Sequence, residues 1–429
     1  MSSQSHHFKW FSVQRVLVWV LFALVLLVLP MLFSSRFSQT MLNQIGIAII
    51  VCLSYNILLG QGGMLSFGHA LYAGLGSFFS VHTLNLVSGG WPVPVSLIPI
   101  IGGVCGALVA LLLGWVTTKK SGTPFAMITF GIGELVWAMS LMIPEFFGGE
   151  GGISGNRVAG PKTLGITFGP QIQLYYLIAA YTFGCTVLMY AFTRTPLGQM
   201  LNAVRDNPER VEFVGYDTQK IRYFAFIVAA FFAGISGGLA ALNYEIVTSE
   251  VISGSRSGAY MLFTFLGGAG AFFGPIIGAV LMVLASVLLS EYTEAWFLYL
   301  GLTFLLMVMY APGGVAALIS KNLHVFRLGG LRQLWVNYLA LLFAGLAAVA
   351  GASALIEMSY HLLLHAEAGS QKHFLGWVLD VRAMMSWLGA LLAMFLGISL
   401  FRWFQKDFTQ KWDAIQSETA RGQHQEQTL

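Results

Sequence analysis

The 429-residue sequence predicts an all-α polytopic membrane protein with roughly 10–12 transmembrane or re-entrant helices and both termini in the cytoplasm. Three observations predict it. The composition is 57% hydrophobic and only 9% charged, with a mean hydropathy of +0.75, whereas ordinary soluble domains carry about 25% charged residues. Apolar runs of about 20 residues recur from end to end without strict alternation, the mark of helices rather than barrel strands. Finally, nine of the 40 charged residues (22 Lys and Arg, 18 Asp and Glu) crowd into the 29 positions from 194 to 222.

The apolar runs place candidate spans at 16–33, 41–60, 66–86, 95–117, 124–146, 173–193, 221–244, 258–272, 273–291, 297–311, 334–356 and 383–404. The first follows a basic start (Lys9, Arg15) like a signal peptide's core, but no small-residue cleavage site follows it and further spans do, so it reads as a transmembrane helix. The runs 66–86 and 258–272 are rich in Gly and Ser, which leaves open a full crossing or a broken, re-entrant helix. Cys52, Cys105 and Cys185 all fall inside apolar runs and read as small hydrophobes, with no CxxC spacing for a metal or redox pair.

Orientation follows from the distribution of Lys and Arg. With a cytoplasmic N-terminus and alternating spans, sixteen fall inside and six outside (Arg36, Arg157, Lys162, Arg256, Lys372 and Arg382). That asymmetry fits the positive-inside rule and puts the 194–222 island in the cytoplasm.

The island itself divides into two short helices. Thr195-Pro196 favours an extended entry. From Leu197 to Asn207 the spacing is helical, with Leu197, Leu201 and Val204 on one face. Pro208 suits the first turn of a second helix, and Gly215 suits its end. Such an amphipathic hairpin presents charge to a soluble partner, although a solvated loop obeying the charge rule has the same composition.

From here the chain resembles a known family. LGQMLNAVRDNPERVEFVGYDTQKIRYFAFIVAAFFAGISGGLAA (197–241) is similar to the cytoplasmic coupling segment and following helix of permeases of branched-chain amino-acid ABC transporters. The matching positions are Gly198, the run Ala203-Val204-Arg205-Asp206-Asn207, Gly215 and Lys220. Four further stretches resemble the same family in the same order: NILLGQGGMLSFGHALYAGLGSF (56–78), PFAMITFGIGEL (124–135), GGEGGISG (148–155) and FTFLGGAGAFFGPIIGA (263–279).

The resemblance covers about residues 40–320. It implies an organisation into a tail and first helix (1–40), a permease core (41–320) and an extension (321–429), because members commonly end soon after a segment like YAPGGVAALI (310–319). It also implies that Gly198, Arg205, Asp206, Asn207, Glu209 and Gly215 form the coupling surface for an ATPase. The sequence holds no GxxxxGK[ST] phosphate loop, so nucleotide hydrolysis is expected from separate subunits.

Polar residues inside the spans are the candidates for a translocation pathway: Asn56, Ser66, His69, Thr129 and Glu134. Glu134 stands well within a span, where a carboxylate must face the bundle interior or a cavity; a solute route and a structural hydrogen bond both satisfy that. His69 and Asn56 carry the same two readings, and the neighbouring Gly60, Gly62, Gly63, Gly68, Gly74 and Gly76 suit close helix packing as well as a polar solute. Thr129 and Glu134 lie about 140° apart on a helix. The glycine-rich loop 148–160 is unsuited to a helix and reads either as a shaper of the outer entrance or as a flexible connection. His361 and His365 at helical spacing, with His373, Glu357 and Glu367 nearby, make a weak metal pattern for which no motif fixes a third ligand. Arg402, Trp403, Lys406, Lys411 and Trp412 read as an interfacial anchor.

These readings converge on the permease subunit of an ATP-driven importer for branched-chain or other amino acids in the bacterial inner membrane. Expected partners are a second permease, two cytoplasmic ATP-binding subunits, a periplasmic solute-binding protein, a small polar solute and membrane lipid, with no nucleic acid, cofactor or metal. Urea or a short amide is the alternative cargo. From another class, the rival is an ion-coupled secondary transporter using Glu134.

Overall fold

The computed structural model describes residues 13–159, 167–311, 313–327, 331–364, 371–374 and 377–427. In chain order the helices are α1 (Val13–Leu32), α2 (Arg36–Asn56), α3 (His69–Ser88), α4 (Ile98–Thr117), α5 (Thr123–Met142), α6 (Pro144–Phe147), α7 (Gln171–Arg194), α8 (Pro196–Asp206), α9 (Pro208–Phe213), α10 (Thr218–Tyr244), α11 (Gly254–Gly267), α12 (Gly274–Leu284), α13 (Ser290–Tyr292), α14 (Trp296–Tyr310), α15 (Gly314–Arg327), α16 (Leu331–Leu364) and α17 (Met384–Gln427). Among the described residues strands are confined to two antiparallel pairs, β1 (Ile153–Ser154) with β2 (Ile246–Val247) and β3 (Gln371–Phe374) with β4 (Trp377–Asp380). Among the described residues nine helices are long and apolar enough to cross a membrane, or ten if 296–310 and 314–323 count as one span. The all-α polytopic class is therefore what the fold shows.

The chain forms two compact units, 1–287 with 304–317, and 288–303 with 318–429. The centre of the first is a crossing of α3, α4 and α10 made backbone to backbone. A Cβ on Gly234 would lie 2.3 Å from Gly102 O, and one on Gly237 would lie 1.8 Å from Ala73 O. Small residues allow this approach where apolar side chains gain little by leaving lipid. Polar bonds pin the contacts: Ser77 Oγ donates to Gly237 O (2.8 Å), and Asn43 Nδ2 on α2 donates to Asn243 Oδ1 on α10 (3.1 Å). Outward faces stay apolar, as at Leu17, Leu112 and Met142, and suit a lipid surround.

Residues 66–86 do not form a broken span. The interruption ends at the first three of these residues: α2 passes into a π-helical turn (Ile57–Gln61) and then a non-helical stretch to Gly68, and α3 runs unbroken from His69. The 258–272 region is a short helix and a turn. The 14 residues of α11 double back through 268–273 onto α12, with a Cβ on Gly278 falling 1.9 Å from Phe263 O. The fifth span stops at Met142 rather than 146, because Pro144 keeps Ile143 out of the helical region (φ −118°, ψ 74°).

In the second unit α16 and α17 pack as a long pair, with Gly351 against Ala390 and Met394 and Gly397 against Ala348. Both helices outrun the expected spans, at 34 and 44 residues. Beyond Arg402 the sequence turns polar but contains Lys, Gln, Glu and Ala, which favour helix as strongly as the apolar part does. Of the histidine pattern, His365 and Glu367 lie outside the described residues. Glu357 accepts bonds from Thr293 and Tyr299.

Candidate functional site

The island folds as a capped helical hairpin. Thr195 is extended (ψ 159°) and its Oγ1 accepts from Gly198 N at 3.2 Å, capping α8 while Pro196 fills the first turn. Asn207 is extended ahead of Pro208 and its Oδ1 accepts from Arg210 N (3.0 Å), so one residue ends α8 and caps α9. Gly215 then takes φ +95°, with its N–H donating to Glu212 O (2.8 Å) and that of Tyr216 to Val211 O (3.2 Å), a left-handed C-terminal stop. Asp217 Oδ1 accepts from Lys220 N at 3.1 Å and starts α10. That backbone bond, with the Lys220 ammonium 3.3 Å away, holds the Asp217 carboxyl below its usual range.

The hairpin has two faces. Leu201, Val204 and Val211 are buried, and Gly198 is pressed so closely on Phe192 that a Cβ would meet its carbonyl oxygen at 2.3 Å. Asp206, Glu209 and Arg210 face outward. So do Phe213 (89% exposed), Val214 and Tyr216, an apolar tip on a charged hairpin that sequence reasoning missed. Its signal was available: apolar residues directly ahead of the terminating glycine, off the buried face.

Arg205 does not simply face solvent. Its guanidinium donates to Gly60 O in the π-turn, pairs with Asp206 at 2.9 Å, and lays its side chain over Gly63 (φ +61°), where a Cβ would lie 2.7 Å from Arg205 Cγ. Beside it Asn202 Nδ2 donates to Gln61 Oε1 at 3.0 Å. The amphipathic helix is thus tied to the helix interruption by two polar links.

Four of the polar candidates, Asn56, Ser66, His69 and Thr129, are brought together around that interruption. Tyr55 OH donates to Ser66 O (2.9 Å), and Phe67 N donates to Thr129 Oγ1 (3.2 Å). Ser54 Oγ donates its proton to Val51 O (2.8 Å), so at 2.9 Å it accepts from His69 Nε2–H, which makes His69 a link between α2 and α3. Asn56 Oδ1, Ser66 Oγ and His69 Nδ1 are buried without a protein hydrogen-bond partner among the described residues. Glu134 sits elsewhere, against the first turn of α11, with Gly254 so close that a Cβ there would lie 2.5 Å from Oε1.

At the end opposite the island lies a cavity of about 310 Å³ between α2, α3, α10, α11, α12 and β2. None of the five polar candidates lines it. Its polar groups include Gln44, Ser77, Tyr244, Thr248, Arg256 and Tyr260. Residues 148–159 of the glycine-rich loop pack beside this cavity. Gly148, Gly149 and Gly152 take positive φ, and β1 pairs with β2, whose Ile246 and Val247 form part of the wall. Arg157 locks the arrangement, donating to Phe168 O (2.9 Å) and Leu242 O (3.1 Å) and lying 3.7 Å from Glu245.

Residues 38–312, carrying the interruption, the hairpin and the cavity, match the family described as "Branched-chain amino acid transport system / permease component". The chain belongs to this permease family. Similar proteins include the high-affinity branched-chain amino acid transport permease LivM of Salmonella typhimurium, 26% identical over 71% of this chain and 76% of that protein. LivM of Escherichia coli is 26% identical over 66% and 68%, respectively. The probable permease LivH of Methanocaldococcus jannaschii is 23% identical over 60% of this chain and 84% of its own length. No solved structure matches. In this permease the family match ends at residue 312, ahead of α16 and α17.

Proposed function

We propose that this permease works as one transmembrane subunit of an ATP-driven importer of branched-chain or related amino acids in the bacterial inner membrane. It pairs there with a second permease, two cytoplasmic ATP-binding subunits and a periplasmic solute-binding protein. The observation that carries the reading is the island hairpin. One face is anchored to the interruption after α2 and the other presents Phe213, Val214, Asp206 and Glu209 outward. A soluble ATPase that grips this hairpin differently in its two nucleotide states biases the membrane domain through Arg205 and Asn202. Gly198, Asn207 and Gly215 shape the hairpin.

Orientation is supported by the fold. The end of α4 meets the start of α10 through Gln219 Nε2 and Trp115 O, which brings Lys119 and Lys120 to the island end, while Arg157 and Arg256 sit at the other. That segregation is what the positive-inside rule asks of a cytoplasmic hairpin. The cargo class follows the relatives' printed names. Asn56, Ser66, His69, Thr129 and Glu134 serve as pathway residues in this reading, the first four as the polar lining of the interruption.

The test is uptake of L-leucine into proteoliposomes holding the assembled complex, with and without ATP. Uptake only with ATP supports the reading. Uptake driven by an ion gradient alone overturns it in favour of a secondary transporter.

A further inference from the structure

The cavity opposite the island pairs one cation with an apolar wall. Val51 from α2, Ala240 from α10 and Met282 and Val283 from α12 supply apolar surface. Arg256 stands in the first turn of α11, one turn before Tyr260 and so on the same helical face, and both line the space. Among the described residues no acidic side chain lines it. Arg157, at the same end, spends its guanidinium on Glu245 and backbone carbonyls, whereas Arg256 makes no ion pair among the described residues. Glu134 packs against Gly254 on the α5 side and is not part of the lining. At about 310 Å³ the cavity lies at the small end of ligand pockets, enough for a free amino acid.

We propose that this cavity is a binding station for the transported amino acid, in which Arg256 holds the α-carboxylate and the Val51–Met282 wall receives an apolar side chain. The inference rests on the permease reading and narrows its cargo. A planar guanidinium forms paired, charge-assisted bonds with a carboxylate, and a neutral amide or urea gains no such pairing. The α-ammonium is met by neutral acceptors, the Tyr244 and Tyr260 hydroxyls and the Gln44 amide oxygen. Arg256, placed by charge counting as one of six outer cations, becomes a specificity-determining residue.

The test measures occupancy directly. The complete complex carrying Ala240→Cys is placed in lipid nanodiscs and labelled with a maleimide, with the wild-type complex giving the background of Cys52, Cys105 and Cys185. L-Leucine is expected to slow labelling, while leucinamide and urea at equal concentration do not. Adding Arg256→Gln is expected to raise the leucine concentration needed for protection about 10- to 100-fold, and Arg256→Lys to recover part of it. Protection by leucinamide or urea equal to that by leucine, unchanged protection in Arg256→Gln, or no protection by leucine overturns the proposal. Because the readout is independent of ATP, loss of ATP dependence in uptake overturns the importer reading separately.

Discussion

The Arg205 guanidinium donates to the carbonyl oxygen of Gly60, joining the amphipathic helix α8 to the π-turn in which α2 loses its regular bonding. A π-turn leaves carbonyl groups without their usual partner and recurs at functional positions. Here the partner arrives from 145 residues away, on the element expected to meet the ATPase. In the proposed function this contact makes Arg205 a transmitter between the hairpin and the membrane core.

Arg205→Gln is therefore expected to leave the ATPase subunits co-purifying and hydrolysing ATP while uptake falls about tenfold, the loss of one charge-assisted bond. Hydrolysis and uptake measured on the same proteoliposomes decide it. Loss of the ATPase subunits from the purified complex would instead assign Arg205 to the docking surface.

The proposed docking surface for the ATPase is the exposed tip. Phe213 is 89% and Val214 74% exposed, so replacing them removes almost no packing within this chain. Phe213→Asp with Val214→Asp is expected to weaken ATPase association about 10- to 100-fold, the usual effect of losing an apolar anchor from an interface. The thermal midpoint of the isolated permease should not move. A lowered midpoint would show that the tip packs on the permease itself.

Local chemistry made the hairpin legible in the sequence. Thr195-Pro196, Asn207-Pro208 and Gly215 each act within a few residues, and all three fall where their types demand. The site's remaining parts depend on distant partners. Nothing near Gly60 announces Arg205, and nothing near Phe67 announces Thr129, so the interruption could be sensed from glycine content but not located. Arg256 was legible only as an outer charge, because the cavity exists once α2, α3, α10 and α12 surround it. The polar end of α17 was lost for a different reason: hydropathy reports where lipid ends, not where the helix does.

Asp217 supplies a pH-dependent element to the hairpin. Its carboxyl is held below the usual range, first by the Lys220 backbone N–H and then by the Lys220 side chain. A depressed carboxyl contributes stability above its unfolded value and loses it as pH falls through the folded value. Thermal midpoints should therefore decline on acidification in the wild type more than in Asp217→Asn, which keeps a capping oxygen but cannot titrate. Identical acid profiles for the two proteins would remove Asp217 from the account.

Among the described residues, Gly237 leaves as little room for a single methyl group as any glycine in a helix crossing. A Cβ on Gly237 would lie 1.8 Å from Ala73 O and 2.9 Å from Ser77 Oγ, and α3 and α10 are already in backbone contact one turn away at Gly76 and Gly234, with α4 closing on Gly234 through Gly102. Gly237→Ala is thus expected to destabilise the permease by about 1–3 kcal/mol through overpacking, read as a lower thermal midpoint in detergent. Gly131→Ala is the control, since a Cβ there meets nothing within 4 Å. Gly237, Ala73 and Ser77 also line the cavity, so forcing α3 and α10 apart reshapes the proposed binding station. Uptake should then fall in Gly237→Ala even at temperatures where the protein remains folded. Equal midpoints for the two alanine variants would mean that the crossing relaxes freely and that the backbone contact does not set the spacing of α3 and α10.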